Sequence, residues 1–271
     1  MNSEDTILEF VNVSKDYYGI AGVKQHVLQN VSLNVNFSLT KGKIFSILAP
    51  FGAGKTTLLK IACGLEKPSS GEVIVTGKKC EPEQLHGKIV YIPEKPSSYP
   101  WLNVEQNIKF AAGLKLKEIN PGQIQELISQ VGLEGYEKHY PNEKSLGFRF
   151  RISLARALAV EPQLLLLDDP LKNLHHQVKK EIKQLIEFIV NELNISVILT
   201  TTNINDSISI SDEIYLMKKN PGMIIDEIKI DRAKLIDKDG DYFTLIKRQI
   251  EKTFADHENS TLISEAKNSQ F

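Results

Sequence analysis

The chain has 271 residues, enough for one large domain or two small ones with a sizeable core. Its 41% apolar and 25% charged residues are ordinary globular composition and exclude wholesale disorder. Lys+Arg of 33 against Asp+Glu of 34 gives a net charge of −1, which excludes a chain-wide basic field for nucleic acid, and the two cysteines, Cys63 and Cys80, cannot build a disulfide framework.

The first forty residues read as strands: Ile7 to Val13, then Val27 to Leu39 with Val31, Leu33, Val35 and Phe37 alternating, and a turn at Gly19 and Gly22 between them. Ile44 to Leu48 reads as a buried strand, followed by a Gly-rich turn and a helix from Thr56 to about Cys63. Short strands are expected at Gly71 to Gly77 and Lys88 to Pro93. From Asn103 to Leu133 the pattern is helical, with Ile124, Leu127, Ile128 and Val131 at i, i+3, i+4 and i+7. Another helix is expected over Phe150 to Val160, ended near Pro162.

Leu164 to Leu167 is an all-apolar run closed by Asp168-Asp169-Pro170, as suits a central parallel strand. A long helix follows, with Val178, Ile182, Leu185, Ile186, Ile189, Val190 and Leu193 on one face, and then a strand from Ile195 to Leu199. Met223 to Ile230 alternates again, and residues 251–271 read as a polar C-terminal tail, expected to be loose from Asp256 to Phe271. Strands alternating with helices indicate an α/β fold with a parallel sheet. No apolar run approaches the roughly 18–20 residues that span a bilayer. The acidic start lacks the basic and apolar regions of a signal peptide, so a cytoplasmic location is expected.

The strongest local signal is Ala49-Pro50-Phe51-Gly52-Ala53-Gly54-Lys55-Thr56-Thr57, placed after a strand and opening a helix, which is the setting of a P-loop. Gly52 and Gly54 let backbone N–H groups turn toward phosphate oxygens, and the helix N-terminus adds a positive dipole end. Lys55 would reach the β- and γ-phosphates, and Thr56 would offer its hydroxyl to Mg²⁺. Asp168, ending a neighbouring apolar strand, supplies the acidic half of such a site. Ala49 stands where the pattern has Gly, which requires a negative φ there. The plain alternative is a Gly-rich strand–helix turn with no ligand.

Around these motifs the chain resembles the ATP-binding subunit of ATP-binding-cassette (ABC) transporters. Ser145-Leu146-Gly147-Phe148-Arg149-Phe150-Arg151, Leu154 to Leu158 and the run to Asp168 line up without gaps on the family's signature helix and the strand after it. Tyr99 to Val104, with Asn107, Met217 and Pro221-Gly222, is similar to the subgroup importing nitrate, sulfonates or taurine. The resemblance covers about residues 5 to 250. It implies a P-loop core with a parallel sheet, an antiparallel N-terminal β-subdomain and an α-helical signature subdomain near residues 103–160. It also implies two MgATP molecules sandwiched between paired subunits. The P-loop, from Pro50 to Thr57, would hold the nucleotide of its own chain, and Ser145 and Gly147 that of the partner. Tyr17 would stack on adenine, with a core aromatic as its alternative reading. Thr56, Asp168 and Glu94 would face the metal. The partners would be a second such subunit, alike or different, and a transmembrane permease subunit, with no nucleic acid. The chain would sit on the cytoplasmic face of the cell membrane.

Several motifs depart from the family pattern. Asp169 stands for the Glu that polarises the attacking water, Glu94 for a neutral Gln, and Thr202 for a His that contacts the γ-phosphate. His175 stands for an Asp, and Leu146 and Phe148 replace Gly and Gln of the signature. Each change touches a group that donates to, or positions, transition-state charge, so slow hydrolysis is expected, with harmless variation as the alternative. Asn36 to Thr40 adds a few residues before Lys41-Gly42 and should lengthen a hairpin. Three readings stay open: a slow transport ATPase, an ATP-dependent clamp whose output is binding and release, and a regulatory protein without a membrane partner. Exposure of Trp101, Leu102, Val104, Ile108 and Phe110, which resemble the segment receiving a permease helix, would favour the membrane partner.

Overall fold

The computed structural model describes residues 5–19, 22–38, 41–75, 78–79, 87–95, 97–114, 119–142, 144–235 and 240–268. Among them the strands form two sheets. One is antiparallel, with order β2-β1-β4-β5, built from β1 (Asp5–Tyr18), β2 (Lys24–Ser38), β4 (Ser70–Val75) and β5 (Lys78–Lys79). The other has six strands in the order β10-β9-β3-β8-β7-β6. Its members are β3 (Ile44–Leu48), β6 (Ile89–Ile92), β7 (Leu164–Leu167), β8 (Ser196–Thr201), β9 (Glu213–Lys218) and β10 (Met223–Lys229). All neighbours in it are parallel except β10 and β9.

β3 and β7 are buried along their whole length because layers cover both faces of the sheet. One face packs on α1 (Lys55–Ala62) and the antiparallel sheet, through Leu8, Leu28, Phe45, Leu58 and Leu164. The other face packs on helices including α2 (Val104–Gly113), α3 (Pro121–Gln130), α4 (Leu146–Leu158) and α5 (His176–Glu192). α5 buries Ile182, Leu185, Ile186, Ile189 and Val190, the stripe its periodicity predicts. At roughly 2 kcal/mol per fully buried aliphatic side chain, this one stripe contributes about 10 kcal/mol of gross stabilisation.

The single helical stretch expected from Asn103 to Leu133 is two helices, each opened by its own reciprocal cap: Asn103 with Gln106, and Asn120 with Gln123. Each asparagine bonds the N3 amide while the glutamine reaches back, satisfying two orphan donors. Pro121 is the first residue of α3, where its missing N–H costs nothing. α4 begins at Leu146 rather than Phe150, because Ser145 caps it. The extra residues at Asn36 do extend the β1–β2 pairing, with Phe37 opposite Thr6 and Ser38 opposite Asp5; Leu39, Thr40 and Cys80 lie outside the described residues.

The polar C-terminal stretch is helical, and the residues just before it anchor the helix. α7 runs from Asp241 to Asn268, and Phe243, Ile246 and Ile250 are buried against β9, β10 and α6 (Ile204–Ile210). Its apolar stripe is one residue wide among polar neighbours, so it is weak in the sequence but sufficient once a surface exists to receive it.

The parallel register brings Leu48, Ile92, Leu167 and Thr201 to the same edge of the sheet. Residues 49–55, 93–94, 168–172 and 202 all follow that edge, the one where open α/β sheets place their ligands.

Candidate phosphate-binding site

The turn after β3 is built by two residues with left-handed backbone, Gly52 at φ +82 and Gly54 at φ +92. Gly54 is also the N-cap of α1, and a Cβ there would come within 2.8 Å of Leu28, so glycine is needed for both reasons. Ala49 keeps a negative φ, so the departure there carries no backbone strain. It is buried, and its N–H donates to Thr201 O at 3.1 Å. Lys55 opens α1 and is buried. Its Nζ donates to Ala49 O at 2.9 Å and Pro50 O at 3.1 Å, which folds the ammonium back over the turn. Burial pushes the Lys55 ammonium below its ordinary pKa, opposed by the charges of Asp169 and Asp168. Ala53 is buried beneath the loop and Thr57 is half-buried in the first turn of α1.

Asp168 follows β7 and is buried. It accepts three hydrogen bonds: from Thr56 Oγ1 at 2.7 Å, Tyr91 OH at 3.0 Å and Thr200 Oγ1 at 2.9 Å. Thr200 Oγ1 also accepts from Asp169 N at 2.9 Å, so one hydroxyl ties both aspartates to β8. Burial, with the Asp168 charge beside it, raises the Tyr91 phenol well above its usual range and keeps it a donor. Asp169 has φ +46, a left-handed conformation that aspartate tolerates better than most side chains. Burial raises its carboxyl above the ordinary value, while Lys55 and Lys172 pull it back. Thr56 and Asp168 together present hard oxygen ligands within 2.7 Å of each other, which fits Mg²⁺.

These groups line one cleft of about 250 Å³ that also takes in Phe51, Glu94 and Lys172. Larger clefts, of about 390 Å³ and 430 Å³, lie elsewhere and include neither the Gly52–Gly54 turn nor Lys55. The negative charge that Glu94 brings is paired with a cation: Lys172 Nζ lies 2.7 Å from its Oε1. Lys172, Tyr91 and Thr200 were missed by sequence reasoning. A lysine four positions after the strand-ending aspartate, in a chain that also gains a negative charge at Glu94, was the available signal for the first.

Other expected residues are not among those that line this cleft. Thr202 is exposed just past β8 and does not line it. Tyr17 is partly exposed on β1, with Lys15 Nζ 5.0 Å from its ring centroid. Ser145 Oγ accepts from Phe148 N at 3.2 Å, and Leu146 is exposed in the first turn of α4. Gly147 is buried, and a Cβ there would lie 2.7 Å from Val178, so its smallness serves the close approach of α4 to α5. Phe148 does not project freely: it meets Tyr136 edge-on at 5.5 Å, with Lys144 over it. His175 is the N-cap of α5 and makes no side-chain cap bond.

Beyond β6 the loop from Ser97 to Asn103 carries aromatics on the surface. Trp101 is 69% and Phe110 46% exposed, whereas Val104 and Ile108 are core. Tyr99 sits between them, tilted against Trp101 at 5.4 Å and edge-on to Phe110 at 5.0 Å, with the Arg156 guanidinium 4.3 Å from its ring. Asn107, completely buried, bonds Tyr99, Leu102 and Asn103 and holds the loop.

A family model described as "ABC transporter" matches residues 33–172. The aliphatic sulfonates import ATP-binding protein SsuB of Bacillus licheniformis is 33% identical over 247 residues, covering 90% of this chain and 93% of that protein. The spermidine/putrescine import ATP-binding protein PotA of Mesoplasma florum is 35% identical over 219 residues, 80% of this chain and 60% of that one. Among solved structures, the dimeric post-hydrolysis state of the ATP-binding cassette MJ0796 with ADP and Pi matches with a TM-score of 0.70 and 28% identity, over 82% of this chain and 98% of that one.

Proposed function

The chain belongs to the ABC transporter family, and from that premise we propose that it binds MgATP in the cleft at Lys55 and Asp168, as the ATP-binding subunit of an importer, and hydrolyses it slowly. The observation that carries this is the meeting of a glycine-built turn, a folded-back lysine and the Thr56–Asp168 pair at one sheet edge. The amides around Gly52 and Gly54 bind phosphate oxygens, and Lys55 leaves the Ala49 and Pro50 carbonyls for a stronger acceptor. Thr56 and Asp168 hold the metal, whose charge offsets that of the phosphates. Tyr91 and Thr200 keep the Asp168 carboxylate aimed at it.

Asp169 takes the place of the residue that orients attacking water. It is a methylene shorter than glutamate, and a misplacement of about 1 Å can cost on the order of 100-fold in rate. Thr202 keeps a hydroxyl donor but is shorter than the histidine it replaces, so it gives the same phosphate weaker support. Both act on the nucleotide of this chain, whereas Leu146 intrudes on that of a paired subunit.

Pairing with a second ATP-binding subunit uses the α4 N-terminus at Ser145. The Tyr99–Trp101–Phe110 surface receives a transmembrane permease subunit and places the chain at the cytoplasmic face of the membrane. No helix among the described residues is long and apolar enough to cross a membrane. The two relatives named above are import proteins for chemically opposite solutes, an anionic sulfonate and cationic polyamines. Solute choice therefore lies outside this subunit. Calorimetry with MgATP tests the reading: wild type should bind, Lys55→Ala should weaken binding by at least about tenfold, and no wild-type binding at millimolar MgATP would refute it.

A further inference from the structure

The cleft contains a second ammonium group beside Lys55. Lys172 Nζ is 2.7 Å from Glu94 Oε1 and 5.4 Å from the centroid of the Phe51 ring. Its backbone N–H donates to Asp169 O at 3.1 Å, so Lys172 rides on the same tight turn as Asp169. Pro170 and Leu171, between them, are buried and anchor that turn. The Lys172 head group is thus held at the Asp169 end of the cleft, the end that faces the outermost phosphate if Asp169 orients water.

The ion pair is open to solvent, with side chains 32% and 42% exposed. Pairs so exposed hold their members loosely. A terminal phosphate offers more negative charge and more acceptor oxygens than a carboxylate, so it competes well for an ammonium already in the cleft. The pair also solves a charge problem. Glu94, Asp168 and Asp169 put three carboxylates around the site against Lys55 and the metal that Thr56 and Asp168 would hold, so an incoming polyphosphate gains from a further cation. Lys172 bears on both neighbours electrostatically, drawing the Asp169 carboxyl down and the Lys55 ammonium down.

We propose that Lys172 is a second phosphate-binding residue, held by Glu94 until nucleotide enters and then bonding the terminal phosphate, so that the cleft selects a nucleoside triphosphate over a diphosphate. This rests on the nucleotide-binding reading above.

Titration calorimetry of the full chain with MgATP and with MgADP tests it. Lys172→Gln should cut the preference for ATP over ADP about tenfold, the effect of one charge-assisted hydrogen bond, and leave ADP affinity within about twofold. Glu94→Gln releases Lys172 and should raise the preference several-fold; that rise should vanish when Lys172→Gln is added, the signature of coupled residues. Both side chains are partly exposed, so the variants should melt near the wild-type temperature. An unchanged ATP/ADP preference in Lys172→Gln, with normal wild-type binding, overturns this inference alone. A Glu94→Gln effect that is the same with and without Lys172 overturns it too. A wild type that binds neither nucleotide overturns the nucleotide reading and this inference with it.

Discussion

Replacing Asn107 by Ala should release the loop that displays Trp101. Asn107 is completely buried; its Oδ1 accepts from Tyr99 N at 2.8 Å, and its Nδ2 faces Tyr99 O at 3.1 Å, Leu102 O at 2.8 Å and Asn103 O at 3.0 Å. Two of these groups keep other partners: Tyr99 O accepts from Leu102 N at 3.2 Å, and Asn103 O from Asn107 N at 2.9 Å. Alanine therefore strands mainly the Tyr99 N–H and the Leu102 carbonyl. At about 1–3 kcal/mol for each stranded group, with partial access of water to a half-buried loop, the loss should be about 3 kcal/mol. Asn107→Asp keeps one acceptor but turns a charge toward three carbonyl oxygens, and should cost at least as much. Urea denaturation at 25 °C reads both values. The ring contacts of Tyr99 with Trp101 and Phe110 should be lost with them, visible as altered Trp101 fluorescence in the folded variant. A loss under about 1 kcal/mol for Asn107→Ala, or unchanged fluorescence, would refute the claim that this side chain builds the surface.

Three further outcomes are expected. Asp169→Glu should raise single-turnover phosphate release by about 10- to 100-fold by restoring the missing methylene, at a cost of about 1 kcal/mol because glutamate suits a left-handed backbone less well; release no faster than wild type would sink the reach argument. Asp169→Asn should raise the melting temperature of the nucleotide-free protein at pH 7. The folded-state pKa of Asp169 lies above its unfolded value, so the native state binds the extra proton and its stability falls as pH rises through that window. The gain should disappear below about pH 4, near the ordinary carboxyl pKa, where both states are protonated, and a gain that persists there in thermal melts would contradict this cause. His175→Asp should stabilise the fold by about 1 kcal/mol, since His175 caps α5 without a side-chain bond and aspartate is a strong N-cap; an unchanged denaturation midpoint would count against it.

The parts of the fold legible in the sequence are those where chemistry restricts the residue type. Gly52 and Gly54 are visible because no other residue takes φ near +80 to +90 cheaply while amides turn outward. The four leucines of β7 are visible because only a strand covered on both faces is so uniformly apolar. Periodicity alone starts α4 at Phe150; only the signature resemblance reaches back to Ser145, whose hydroxyl has an amide to satisfy.

What escaped depends on tertiary context. β9 has little alternation because it is buried on both faces, and α6 is a seven-residue helix whose Asn203 cap resembles a turn residue. α7 shows its stripe only against β9 and β10. Within the site, Lys172 and Glu94 sit far apart in the chain, so their pairing exists only in three dimensions.

Single-turnover phosphate release from the protein saturated with MgATP, alone and with a permease-bearing partner complex, tests the central claim most directly. The protein should bind the nucleotide yet release phosphate at least about 100-fold more slowly than the roughly 10 s⁻¹ of a median enzyme, since losing a single transition-state donor costs that much. Tight binding with release near 10 s⁻¹ would contradict it and show that Asp169 reaches its water in full.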